Sequence, residues 1–336
     1  MQPNYFFSSL ARISDLNEKP FALEALPRDK WSSGDYVAAE VEQIGGEGLV
    51  ELTCGRMARI APNDWIVGAL GKRSATLEAV GDWRAVGSDL RFDLLTSAAV
   101  LGRCTGKSAL VPPLTSLIYR GHVVRDGRPC RMADFVPAKP EQMPRVPIVL
   151  IVGTSMSSGK TMTARVVVRL LRTRGLKVGG IKFTGIGRYR DILTMRDAGA
   201  QFVCDFVDAG LPSTSCPRED FEPSIDYLLA RTAAAGVDVI VAEAGASPLE
   251  PYNGDLAVEH VRGQTACTIL CASDPYAVVG VMKSFDLKPD LVAGRATSTT
   301  AAVDLVEQLC NIKALNVLDR TAWPELERIL AEGLDR

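Results

Sequence analysis

Histidine is nearly absent from this chain: His122 and His260 are the only two in 336 residues. A His-rich metal centre or a Ser-His-Asp triad is therefore poorly supported, because a single imidazole would have to do all the work. The eight cysteines, Cys54, Cys104, Cys130, Cys204, Cys216, Cys267, Cys271 and Cys310, form no CxxC pair. They read as free, mostly buried thiols of a reducing, cytoplasmic compartment. No apolar run reaches the roughly 18–20 residues of a membrane span. The first ten residues lack a basic segment followed by an apolar one, so no secretory leader is expected. Charge of one sign is also scarce. The formal net charge is −2, without a basic tail or an acidic run, and partnership with nucleic acid or an anionic membrane is not favoured.

The content that remains is ordinary for a soluble globular protein, with 47% hydrophobic and 23% charged residues. The length suggests two domains. From about Gly34 to Phe135 short apolar runs alternate with turn signals. The runs are Tyr36–Val41, Leu49–Thr53, Trp65–Leu70, Ala75–Val80 and Leu117–Tyr119, and the turns include Gly45-Gly46, Pro62-Asn63-Asp64 and Asp126-Gly127. This spacing predicts a small antiparallel barrel or sandwich over residues 1–136. Residues 137–147 hold four prolines and read as a stiff linker, at which a cut is expected to give two separately folded pieces.

From 148 to 336 the pattern changes to strand–helix alternation, as in a doubly wound α/β domain with a mostly parallel sheet. Ile148–Val152 is wholly apolar, as a strand buried on both faces should be. A helix follows over Lys160–Arg174, then a strand at Val178–Phe183 and a helix around Asp191–Gly199. Further strands are expected at Val237–Ala242, Thr268–Ala272 and Asp290–Ala293, and helices near Ser224–Ala235 and Thr300–Cys310.

Between the first strand and the first helix lies Gly153-Thr154-Ser155-Met156-Ser157-Ser158-Gly159-Lys160-Thr161, followed by Met162. A loop in that position aims backbone N–H groups and the positive end of a helix dipole at one centre, which suits phosphate. Lys160 would sit on the β- and γ-phosphates of ATP or GTP and Thr161 on Mg²⁺. The bland alternative is a Ser/Thr helix cap with Lys160 on the surface. A second Gly-Lys-Ser stretch, Gly102–Ser108, is too short between its glycines and reads as a turn.

Other candidates follow from strand ends, which line the ligand crevice in open α/β sheets. Lys182 would face phosphate or an acidic substrate, as a second catalytic lysine, or else be solvated. Glu243 would help to hold Mg²⁺, or else cap a turn. Asp191 is read equally as a metal ligand and as a helix cap. Arg188 and Arg190 are candidates for a substrate's carboxylate or phosphate, though exposed loop arginines are as common. Asp205 and Asp274 each follow an apolar run.

The loop resembles the Gly-Thr-x-x-x-x-Gly-Lys-Thr frame of dethiobiotin synthetases and related P-loop NTPases, with Ser155 where those enzymes carry Asp. Arg174-Gly-Leu-Lys-Val-Gly-Gly-Ile-Lys182-Phe resembles a stretch common to dethiobiotin synthetase and the MobB protein of molybdopterin-guanine-dinucleotide synthesis. Asp191–Ala200 resembles a further MobB stretch, with Thr194 in place of its arginine, and Val237–Ala246 resembles the strand that closes the magnesium site in both families. The resemblance covers about residues 148–272 and leaves the β-rich half unmatched. It implies Mg²⁺ and ATP or GTP as cofactors, with either base allowed, since Gly294–Ser298 lacks the base-contacting Asn of dethiobiotin synthetases. It implies phosphoryl transfer to a small, carboxylate-bearing substrate. Two alternatives stand beside it: a GTP-binding accessory protein of the MobB type, and an acyltransferase similar to D-glutamate N-acetyltransferases, whose loop would hold coenzyme A. A homodimer is compatible with each.

Overall fold

A computed structural model describes residues 4–141 and 144–335. Met1, Gln2, Pro3 and Arg336 lie outside the described residues, as do Gln142 and Met143 of the proline-rich segment. The chain forms two compact units. The first comprises residues up to Ala138 together with Ile186–Arg190 and Phe206–Cys216, and the second comprises Lys139–Gly185, Asp191–Asp205 and the chain from Pro217 onward. The units are thus not two consecutive stretches on either side of the proline-rich segment. Two segments from the second half of the sequence belong to the first unit.

In the first unit, Trp65–Leu70 pairs antiparallel with Tyr36–Gln43 and parallel with Val100–Lys107. Tyr36–Gln43 pairs with Ser116–Arg125, which pairs with Arg91–Leu94, which returns to Val100–Lys107. The circuit closes, and closure leaves these strands no exposed edge for another chain to extend. The inside is apolar, built on Val37, Ala39, Val41, Ile66, Phe92, Leu101 and Leu117, with Trp31 stacked on Phe92. The expected all-antiparallel pairing is corrected in two places: the ring closes in parallel, and Tyr5–Phe7 pairs parallel with Trp65–Leu70. Of the expected strand at 75–80, residues 75–78 turn between Lys72–Ser74 and Ala79–Asp82, with Leu77 exposed, and only 79–80 are extended. Gly102–Ser108 is no turn either. Most of it runs along the strand Val100–Lys107, which bulges between Cys104 and Gly106.

The second unit holds a six-stranded sheet whose strands are labelled here β1 (Ile148–Gly153), β2 (Val178–Thr184), β3 (Phe202–Asp205), β4 (Val239–Ala244), β5 (Thr265–Ala272) and β6 (Leu291–Gly294). All pairings are parallel, in the order β3-β2-β4-β1-β5-β6. The helices are α1 (Lys160–Thr173), α2 (Tyr189–Asp197), α3 (Arg218–Ala234), α4 (Gly254–Val261), α5 (Pro275–Phe285), α6 (Thr300–Cys310) and α7 (Trp323–Leu334).

Alternate residues of the strands share a face. Val149 and Ile151 of β1, Val239 and Val241 of β4 and Cys267 and Ile269 of β5 pack against Ala164, Val167 and Leu171 of α1 and Leu326 and Leu330 of α7. Helix α3 extends from Arg218, ahead of the expected start at Ser224, with Pro223 inside it. A proline in the second turn removes one helical hydrogen bond and leaves the rest of the helix in place.

All eight cysteines are free thiols, four of them buried. Among the described residues no helix is long and apolar enough to cross a membrane.

Candidate functional site

The loop from Gly153 to Thr161 joins the carboxyl end of central strand β1 to the first turn of α1. The first N–H groups of α1 have no carbonyl one turn behind them within the helix, so they face the loop's interior. Lys160, the first helical residue, is buried and donates from Nζ to the Ser155 carbonyl at 2.6 Å. Its stem crosses Gly153 so closely that a Cβ there would lie 2.6 Å from both Cδ and Nζ of Lys160. Thr154 ties the loop to the neighbouring strand. Its N–H donates to the Cys271 carbonyl and its hydroxyl accepts from the Ser273 N–H, both at 3.0 Å. Gly294, at the end of β6, supports the loop from the other side. Its φ is +88°, and a Cβ on it would stand 2.2 Å from the Ser158 carbonyl oxygen. The Arg295 N–H donates to the same carbonyl at 3.2 Å. Met162 points outward, 43% exposed.

A row of side chains, three of them charged, crosses the sheet beside this loop. Ile151, Glu243, Lys182 and Asp205 are register partners on β1, β4, β2 and β3. Parallel register puts them on one face, the face that α1 covers. Glu243 accordingly meets the first turn of α1. The Thr161 hydroxyl donates to its carboxylate oxygens at 3.2 and 3.3 Å.

Lys182 is bonded to Asp191. The pairing follows from helix geometry. Met195 of α2 packs over Gly180, and Asp191 lies one turn earlier on the same face, where β2 has advanced by two residues to Lys182. Neither the metal-ligand nor the cap reading of Asp191 describes this role. The N–H groups that open the helix, those of Tyr189 and Arg190, donate to Glu51 instead, within the first unit.

Burial pushes the Lys160 ammonium below its ordinary pKa, against the pull of Glu243. Burial acts on Lys182 too, but Asp191, Glu243 and Asp205 together outweigh it and hold that ammonium above its ordinary value. Burial raises Glu243, and Lys182 and Lys160 offset the rise only in part, while the Asp191 carboxylate adds to it.

Oxygen donors of this kind fit Mg²⁺, which keeps much of its water and takes one or two protein oxygens plus phosphate. Among the described residues no group of three or more His, Cys, Asp or Glu is placed to hold a metal by itself. Thr161 with Glu243 would therefore be the protein's share of such a site.

The other candidates fall in several places. Asp205 is buried at the end of β3 beside Lys182. Arg188 and Arg190 are part of the first unit. Asp274 caps α5, accepting from the Tyr276 and Ala277 N–H groups. Ser273 and the support role of Gly294 escaped the sequence reading. A glycine followed by a polar run at a strand end was the available signal for the second.

No family model matches the chain, and no curated protein matches it. Solved structures with partial likeness include chloroplast FtsY from Physcomitrella patens, 12% identical with a TM-score of 0.38, over 61% of this chain and 70% of that one. The hydrogenase maturation factor HypB from Archaeoglobus fulgidus is 15% identical with a TM-score of 0.39, over 56% of this chain and 91% of its own. A DUF1611 family protein from Anabaena variabilis is 15% identical with a TM-score of 0.38, over 59% of this chain and 63% of its own. At these values the likeness assigns neither a family nor a function to this chain.

Proposed function

We propose that the α/β unit binds a nucleoside triphosphate, ATP or GTP, with Mg²⁺, and transfers its terminal phosphoryl group to a small anionic acceptor, a carboxylate foremost. The observation that carries this reading is the contact of Thr161 with Glu243 at 3.2 Å, in the helix turn that begins with the buried Lys160. The loop N–H groups and Lys160 would bind the β- and γ-phosphates. Thr161 and Glu243 would hold the metal, and bound Mg²⁺ would neutralise phosphate charge. Lys182 supports transfer in addition to binding. It is a second buried ammonium, held in its charged form beside Glu243, and a fixed cation at a water-poor site stabilises charge that develops on a transferring phosphoryl group. Asp191 would act as a positioning residue by fixing the Lys182 side chain.

The test is calorimetric titration of ATP and GTP into the intact protein and into Lys160→Ala, with and without Mg²⁺. Binding that is Mg²⁺-dependent and lost in a folded Lys160→Ala protein is the expected result. Unchanged affinity in that variant would overturn the assignment.

A further inference from the structure

Helix α1 carries a second feature on the side facing away from the sheet. Arg165, Arg169 and Arg172 are spaced by four and three residues, so they lie along one face and advance by about 6 and about 4.5 Å along the axis. All three are exposed, and together with Thr173, Asp197 and Ala198 they line a cavity of about 510 Å³ between α1 and the end of α2. None of the three guanidinium groups has a hydrogen bond or ion pair with any described residue.

Some exposed arginines elsewhere, such as Arg174 and Arg196, also lack a side-chain partner among the described residues, but others are paired. Arg328 is paired with Glu325 and Glu332, Arg262 with Glu259, Arg218 with Asp255 and Arg120 with Glu40. The helix dipole gives a reason for a cation in the last turn, where Arg172 lies, but it fades within one turn and does not reach Arg165 or Arg169. Like charges one turn apart weaken a helix by a few tenths of a kcal/mol. Arg172 is also held in place. Its stem crosses the backbone of Gly199, where a Cβ would come within 2.4 Å of its Cδ.

We propose that this arginine-lined cavity is a binding site for a small molecule bearing more than one phosphate, separate from the phosphate-binding loop at the other end of the same helix. Planar guanidinium forks recognise phosphate through paired N–H groups. Three of them on one volume call for a ligand with several anionic oxygens. The cavity falls within the size range of small-molecule sites, about 300–1,000 Å³. The single acidic side chain lining it, Asp197, leaves a net charge that only an anion would offset. The site does not depend on the nucleotide reading.

The experiment titrates inorganic pyrophosphate into the full chain as Lys160→Ala, which removes the loop's own claim on the probe, and follows heat. A triple variant, Arg165→Gln, Arg169→Gln and Arg172→Gln in that background, keeps helix propensity nearly constant. A second triple variant changes the same residues to Lys and keeps the charge. Saturable pyrophosphate binding is expected in Lys160→Ala. It should be at least about tenfold weaker in the Gln variant, and clearly weaker in the Lys variant, because an ammonium lacks the fork. Absence of saturable binding in Lys160→Ala would overturn the proposal. So would a Gln variant that binds equally well. A Lys variant that binds as well as the arginines would reduce the cavity to diffuse attraction and overturn it too. Nucleotide binding in an otherwise native protein carrying the Gln substitutions should be unchanged.

Discussion

Lys182 and Glu243 stand opposite each other as register partners on β2 and β4, both buried, each with its own further partner: Asp191 for the lysine and Thr161 for the glutamate. The chain Asp191–Lys182–Glu243–Thr161 thus links the start of α2 to the start of α1. Charges buried in such a row are stable only while each retains its neighbour, which makes the row testable from several sides.

Glu243→Gln should lower nucleotide affinity by about tenfold or more when Mg²⁺ is present and leave metal-free binding nearly unchanged, since a neutral amide is a poor ligand for a hard cation. Calorimetric titrations with Mg²⁺ and with chelator compare the two. Equal losses under both conditions would take Glu243 out of the metal site.

Lys182→Met should leave nucleotide affinity within about tenfold, roughly 1.4 kcal/mol, while turnover falls much further. It also removes the ion-pair partner of Asp191 and a cation beside Glu243, so the folded state should be less stable in a urea melt. Adding Asp191→Asn should restore part of that stability but none of the turnover. If the double variant is no more stable than Lys182→Met alone, the two side chains are not coupled.

Gly294→Ala should weaken nucleotide binding although the residue carries no functional group. Its Cβ would stand 2.2 Å from the Ser158 carbonyl, and the loop must move to admit it. Gly127→Ala is the matched control. It shares a positive φ, +71°, but a Cβ there meets nothing within 4 Å, so only backbone strain of about 1–2 kcal/mol is expected, with binding intact. Parallel thermal melts and titrations of the two variants separate strain from displacement.

Glu51→Ala should destabilise the first unit by about 3 kcal/mol or more. This buried carboxylate accepts from the Ser9 hydroxyl at 2.5 Å and from the Tyr189 and Arg190 N–H groups at 2.8 and 2.9 Å, and its loss leaves three donors without an acceptor, at about 1–3 kcal/mol for each that stays dry. Chemical denaturation of the intact chain gives the value.

A fragment ending at residue 138 should melt at a lower temperature and less cooperatively than the first unit does within the whole chain. It lacks 186–190 and 206–216, and with them two of the three donors to Glu51, the Asp208 carboxylate bonded to Arg12 and the Ser215 hydroxyl bonded to Ser74. Adding back a peptide that spans 186–216 should raise the melting temperature. A sharp, native-like melt of the bare fragment would show that those segments are dispensable.

Residues close in the chain specify the strand–loop–helix at Gly153–Thr161 and the parallel sheet. An apolar run, a Gly-flanked polar loop and a capped amphipathic helix each follow from short-range sterics and hydrogen bonding, so Gly153–Thr161 and the ends of β2 and β4 could be read from residues close in the chain. The sequence also places Lys182 and Glu243 at strand ends, because strand direction alone carries them to the carboxyl edge. Tertiary packing alone brings Asp191 to Lys182, places Glu51 under the first N–H groups of a helix 138 residues onward, closes a ring between Trp65–Leu70 and Val100–Lys107, and adds two segments from the second half to the first unit. All but the first, which spans nine residues, join residues far apart in sequence. Such contacts are chosen by which surfaces can be buried together with every polar group paired, a condition on the whole chain that no local spacing records.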